Sequence, residues 1–190
     1  MNAFERQFAG DHRFHVRVFP EKGSSSQATR YYTSLVAAEQ AQSHTIDGYP
    51  GIEAVPVGES AATREVDCCS AAIVYGEVGS SHWIFGHIES GRGFPDLQPL
   101  RDVQGGIVGR ANLILIGASP MDTISISEED RKARRLQVNR VLQQVNACHI
   151  SLLRENIRLY WNNELHTYID IVAGVGKNGL ERAHITHVRL

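Results

Sequence analysis

Three side chains between residues 63 and 87 are of the types that a thiol hydrolase uses. Cys69 stands where an apolar segment begins, His87 lies on the next apolar segment, and Thr63 precedes the cysteine by six positions. A cysteine attacks as its thiolate, and a neighbouring imidazole can take the proton at neutral pH. A hydroxyl beside the ring can orient it, which is the role of the third member of a triad. The segment therefore predicts a nucleophile, a base and an orienting group.

The residue types leave alternatives open. Free cysteine is among the most buried residue types, so Cys69 could simply pack in the core. Cys68 is adjacent to it, and His82 precedes the second apolar segment. We therefore take Cys69, His87 and Thr63 as the predicted catalytic residues, with Cys68 and His82 as alternatives. His87 is preferred over His82 because it lies within the second segment and not at the exit of the loop.

The elements that must position these residues can be predicted from periodicity. Residues 69–75 and 83–88 are expected to form the arms of a β-hairpin, and the glycine beside His87 would leave room for a substrate backbone or mark a bulge. Alternation predicts a strand over residues 13–19, and a small-residue stripe predicts a helix over residues 34–43. A break at residues 56–62 suggests an N-terminal strand-helix appendage, residues 1–60, before a core of residues 61–190, although one continuous domain is also possible.

The second half of the chain predicts a mixed α/β fold. The continuous apolar run at residues 112–116 is typical of a strand covered on both faces. Ser127 followed by three acidic residues begins the clearest helix, and apolar residues then repeat along one face. Residues 150–188 are expected to form a closing antiparallel β-meander. Together these elements predict an α/β (α+β) protein with a mixed sheet and packed helices.

Composition restricts the class of protein. The chain has 190 residues, 42% hydrophobic and 21% charged, with a formal net charge of -2. These values are typical of a globular domain and give no electrostatic argument for nucleic acid or an anionic membrane as the partner. Three cysteines, two of them adjacent, do not make a disulfide framework. With no visible signal peptide or membrane span, we expect a cytoplasmic protein, or one injected into another cell without a cleavable signal.

In the spacing of Thr63, Cys69 and His87 and in the order of its elements, the chain resembles the bacterial Cys-His-Thr protein-glutamine deamidases. These include the chemoreceptor glutamine deamidase of chemotaxis and the catalytic domain of cytotoxic necrotizing factor. In that superfamily, too, a threonine lies six positions before a cysteine that opens a strand, and the histidine is on the next strand. The apolar strand at 112–116, a turn at 117–119, the helix from Glu128 and the C-terminal strands follow in the family's order, so the resemblance covers roughly residues 63–190. The chain departs from the pattern at Asp67-Cys68, where the family has a pair of small residues.

The resemblance implies a function for this chain. It implies deamidation of a glutamine in a target protein by Cys69, His87 and Thr63, without a metal or organic cofactor, in an enzyme or an effector toxin. The rival interpretation is a non-catalytic α/β interaction protein, such as an immunity protein, an inhibitor or a phage-borne antagonist. A third is the deamidase fold with its activity lost. The basic run at residues 131–135 is predicted to be a solvated helix face. The oligomeric state and the role of residues 1–60 are left open.

Overall fold

A computed structural model describes residues 1–21, 23–117 and 126–190. The strands that it contains are β1 Phe14–Phe19, β2 Thr45–Asp47, β3 Gly51–Pro56, β4 Ser60–Val66, β5 Ser70–Tyr75, β6 His82–Ile88, β7 Ala111–Gly117, β8 Leu152–Trp161, β9 Thr167–Gly176 and β10 Gly179–Arg189. The α-helices are α1 Ala3–Arg6, α2 Ser25–Ala38, α3 Gln98–Asp102 and α4 Glu128–Ala147, and a short 3₁₀ helix spans Ala41–His44.

The strands form two mixed sheets. Sheet A has the strand order β1-β10-β9-β4-β2, and sheet B has the order β3-β6-β5-β7-β8. Most neighbours are antiparallel, whereas β1 with β10, β2 with β4, and β7 with β8 are parallel. The predicted α/β class with mixed sheets is therefore confirmed, although two sheets are present where one was expected.

The two sheets pack face to face, with helices on both outer faces. Side chains of alternating residues on β5 and β9, such as Ile73 and Ile171, meet in one core between the sheets. The intervening residues point outward, so that Val172 packs beneath α2 while Val74 packs beneath α4. This division follows from the period of two in a strand. The order of layers is α2, sheet A, sheet B, and then α3 with α4.

The local predictions differ in their outcomes. The hairpin of β5 and β6 and the buried strand β7 are confirmed. Helix α4 is confirmed as well, and a capping box between Ser127 and Asp130 begins it. The helix predicted at residues 34–43 is wrong in its bounds, since α2 begins at Ser25. Ala28 and Tyr32 give the added N-terminal part of this helix a buried stripe against sheet A.

The predicted C-terminal meander is wrong in its topology. β9 and β10 do form an antiparallel hairpin, but β8 belongs to sheet B and runs parallel to β7. The N-terminal sixty residues are distributed over both sheets, because β1 and β2 lie in sheet A and β3 lies in sheet B. Residues 57–59 of the predicted break at 56–62 do separate two strands, but residues 60–62 belong to β4. None of the helices in the described ranges is long and apolar enough to cross a bilayer.

Candidate active site

The β5–β6 hairpin brings Cys69 and His87 to the same face of sheet B. His87 pairs with Ala71 across the hairpin, and Cys69 precedes Ala71 by two positions. Residues two apart on a strand point to the same side, so the thiol and the imidazole both face sheet A. His87 is 1% exposed, whereas Cys69 is partly exposed at the rim. The imidazole is therefore buried and the thiol remains accessible.

Thr63 reaches the same point from the opposite sheet. It lies on β4, and its hydroxyl oxygen is 2.8 Å from Nδ1 of His87 and 2.6 Å from the carbonyl oxygen of Ile46. A hydroxyl has one proton, and the Ile46 carbonyl can only accept it. Nδ1 of His87 therefore carries the ring proton and donates a hydrogen bond to the Thr63 oxygen. This tautomer is assigned from the hydrogen-bond network. The other ring nitrogen, Nε2, is then left with a lone pair for the Cys69 proton.

The two adjacent thiols have opposite pKa shifts. The pKa of Cys69 is lowered, first because Cys68 donates a hydrogen bond to it and then because of the hydrogen bond and positive charge of His87. Burial and the charge of Asp67 oppose this shift. The pKa of Cys68 is raised, chiefly by that same bond to Cys69, then by burial and by Asp67. The pair thus holds its negative charge on Cys69, and Cys68 is its donor.

The alternative histidine lies elsewhere. His82 begins β6, pairs with Pro56 and has Nδ1 3.0 Å from the hydroxyl of Ser81. His87 is five positions further along the extended strand, which corresponds to a distance of about 17 Å. The glycine next to His87 also differs from expectation. A Cβ on Gly86 would come within 2.7 Å of the Phe94 ring, so an aromatic side chain on the helix-covered face fills the space predicted for substrate.

A bulge in β4 lies between Thr63 and the turn at residues 67–69, which we call the cysteine turn. Thr63 pairs with Ile171 and Val66 pairs with Ile169, so that two residues of β4 face one of β9. Glu65 in this bulge has a φ of 57°, and its N–H donates to the carboxylate of Asp170 at 2.8 Å. Asp170 is 1% exposed, and burial raises its pKa to about 6. A lone aspartate within the apolar strand β9 was the available sequence signal for this contact.

A second polar contact that sequence reasoning missed joins the hairpin to α4. The Ser70 hydroxyl donates to Oε1 of Gln137 at 2.9 Å, and Nε2 of Gln137 donates to the carbonyl of Glu89 at 2.9 Å. Ser70 and Gln137 are both fully buried. Gln137 lies on the stripe that packs against sheet B together with Val141, and a polar residue in such a stripe is the signal that could have found it.

The turn before Cys69 contains groups that could bind an oxyanion or a metal ion. The Cys68 N–H donates to the Asp67 carboxylate, so this amide is already occupied. The donor atoms of Asp67, Cys68 and Cys69 lie within 4.8 Å of one another, which makes them the group in the described ranges that could hold a metal ion. A Cβ on Gly117 would come within 2.8 Å of the Cys69 carbonyl oxygen, so β7 passes close to this turn. The rest of the turn predicted at 117–119 lies outside the described residues.

Comparison of the sequence with models of known protein families gave no match, and comparison with curated protein sequences gave none either.

Proposed function

We propose that the chain is a cysteine amidohydrolase that converts a glutamine side chain of a target protein to glutamate. The observation that carries this proposal is the buried Thr63–His87 hydrogen bond, which leaves Nε2 of the ring to serve Cys69. The lowered pKa of the Cys69 thiol supports it, because the thiolate is the nucleophilic form.

The reaction needs only groups that are present at this site and water. Nε2 of His87 takes the Cys69 proton, and the thiolate attacks the carboxamide carbon of the glutamine. The tetrahedral intermediate collapses as the imidazolium gives its proton to the leaving nitrogen, which departs as ammonia. Water, deprotonated by the imidazole, then hydrolyses the thioester and releases glutamate. Throughout the cycle Thr63 accepts a hydrogen bond from Nδ1–H of His87 and so stabilises the imidazolium.

The position of the thiol favours a macromolecular substrate. Cys69 is partly exposed at the rim between the sheets, where a glutamine side chain carried by another protein can approach. A non-catalytic interaction protein would permit a buried Cys69 among apolar neighbours, and the polar partners described above argue against that alternative. The deamidase fold without activity is a second candidate. Its support is the Asp67 carboxylate, which occupies the Cys68 N–H that could otherwise bind an oxyanion.

The test is conversion of glutamine to glutamate in a peptide mixture. We would incubate the protein with a tryptic digest of a bacterial lysate and search by mass spectrometry for glutamines that gain about 1 Da, the difference between an amide and an acid. Cys148→Ala is the matched control for Cys69→Ala, because Cys148 is buried at the C-terminal end of α4. We expect conversion by the wild type and by Cys148→Ala, and none by Cys69→Ala. Conversion that persists in Cys69→Ala, or none in any sample, would contradict the proposal.

A further inference from the structure

A groove with a strongly basic lining lies between α4 and β8. It has a volume of about 440 Å³ and is lined by Arg131, Arg134, Arg135 and Arg154 around the apolar side chains of Leu159 and Trp161. None of the described lining residues is acidic. The chain as a whole has a net charge of -2, so this concentration of arginines is local.

The charges of the groove are only partly neutralised. Glu128, at the start of α4, pairs with both Arg131 at 3.7 Å and Arg135 at 2.9 Å. Arg134 lies over the Trp161 ring. Exposed Arg154 has no ion-pair partner within the described ranges. Glu128 and Asp130 together act on three of the four guanidinium groups, so the groove keeps a positive charge and complements an anionic ligand.

The free edge of β8 borders the same groove. β8 is the last strand of sheet B, and its neighbour there is β7. The side chain of Gln7 bonds the backbone N–H of Trp161 at 3.0 Å and its carbonyl at 2.8 Å from the open side. Backbone groups alternate in direction along a strand, so those of Leu159 and Ile157 also point to the open side. There they have no backbone partner among the described residues. An extended polypeptide could pair with them and direct alternate side chains into the groove.

The groove is on the α4 face of sheet B, whereas Cys69 faces sheet A, so a bound chain would reach the thiol around the end of the sheet. Trp161 pairs with Gly117, and Gly117 pairs with Ser70, which follows Cys69. Two strand spacings, about 10 Å, thus separate the end of the groove from the residue next to the nucleophile. An extended chain of a few residues spans that distance.

We propose that this groove docks an acidic, extended segment of the substrate protein and so selects glutamines that lie near acidic residues. The inference rests on the proposed function, because it names the substrate class of the same site. An acidic polypeptide fits better than nucleic acid, since it matches the open strand edge and the apolar floor as well as the charge. The overall charge of -2 also gives no long-range attraction for nucleic acid.

The test is binding of labelled peptides to full-length Cys69→Ala protein, measured by fluorescence anisotropy at low salt. Three peptides share one central glutamine and differ at alternate flanking positions, which are glutamate, serine or lysine. We expect the acidic peptide to bind most tightly, and Arg154→Glu to weaken it about tenfold by placing a like charge in the groove. Arg30→Glu is the matched control because Arg30 is exposed on α2, at the opposite side of the layers. We expect it to change binding by less than about twofold.

The outcomes separate the docking proposal from the proposed function. Equal binding of the three peptides, an equal effect of Arg154→Glu and Arg30→Glu, or tighter binding of polyuridylate than of the acidic peptide would overturn the docking proposal. If the acidic peptide binds but the wild type releases no ammonia from it, docking is supported and the deamidase function fails. If the wild type releases ammonia equally well from the acidic and basic peptides, the function is supported and docking fails.

Discussion

Thr63→Val tests the orienting role of the hydroxyl while keeping the shape of the side chain. In the wild type, the Thr63 hydroxyl accepts a hydrogen bond from Nδ1–H of His87, with 2.8 Å between oxygen and nitrogen, and Thr63 is fully buried. A hydrogen bond to a charged group contributes about 1.5–3 kcal/mol, and here it stabilises the imidazolium that accompanies the thiolate. At 1.36 kcal/mol per pKa unit, its loss should raise the pKa of Cys69 by roughly one to two units. Below that pKa, the thiolate fraction should fall about 10- to 100-fold.

The assay for Thr63→Val is the pH dependence of iodoacetamide labelling of Cys69, read by peptide mass spectrometry. Thr63→Ser is the matched control because it keeps the hydroxyl, and it should stay within about threefold of the wild type. Unfolding in urea should show a loss of about 1–3 kcal/mol in Thr63→Val, since the carbonyl of Ile46 and Nδ1 of His87 lose their partner. If Thr63→Val is destabilised but labels like the wild type, the hydroxyl is structural and the reasoning is wrong.

The remaining predictions concern the cysteine turn and its supports. Cys68→Ala should slow labelling of Cys69 at about pH 6 because it removes the hydrogen-bond donor that lowers the pKa of Cys69 to about 5. Asp67→Ala should accelerate labelling at or below about pH 5 because it removes a charge that raises this pKa, and shifts of the same sign in the two variants would contradict this. The pKa of Asp170 is higher in the folded protein, about 6, than in the unfolded chain, 3.8, so protonated Asp170 stabilises the fold at low pH. This contribution to the free energy of unfolding, at most about 3 kcal/mol, is complete below pH 3.8 and is lost as the pH rises through about 6. Asp170→Asn should abolish that loss in urea unfolding between about pH 4 and 7.5, and an unchanged slope would contradict the burial argument. Gln137→Met should lower the free energy of unfolding by about 1–3 kcal/mol because it leaves the buried Ser70 hydroxyl without its acceptor, and a neutral effect would contradict this.

Short-range patterns predicted the elements around the site. The β5–β6 hairpin follows from two apolar arms and a Gly/Ser loop, and α4 follows from its serine cap and acidic first turn. The period of two also explains why Cys69 and His87 share a face once their register is known. These features depend on neighbours in sequence, so the residue types alone indicate them.

The pairing of strands that are distant in the sequence could not be predicted from local residue patterns. The division into two sheets depends on which strands pair, and the residue pattern of β8 is compatible with either sheet. Its parallel pairing with β7 is typical of a strand–helix–strand unit, but the meander predicted for residues 150–188 assigned it to antiparallel neighbours instead. Likewise, the spacing of Thr63 and Cys69 does not show that the hydroxyl approaches His87 from the opposite sheet, or that Asp170 supports the bulge between them. Those contacts arise only from tertiary packing.

The central claim is that Cys69, whose pKa is lowered by the hydrogen bond from Cys68 and then by His87, uses His87 as its base, and one labelling experiment tests this most directly. Iodoacetamide labelling of the native protein is followed from about pH 5 to 9 in the wild type and in His87→Ala, with buried Cys148 as the internal reference. The account predicts that Cys69 of the wild type labels rapidly near pH 6, and that His87→Ala needs a clearly higher pH for the same rate, because only the hydrogen bond from Cys68 then lowers the pKa. Labelling of Cys69 that is no faster than that of Cys148, or that is the same in His87→Ala, would contradict the account.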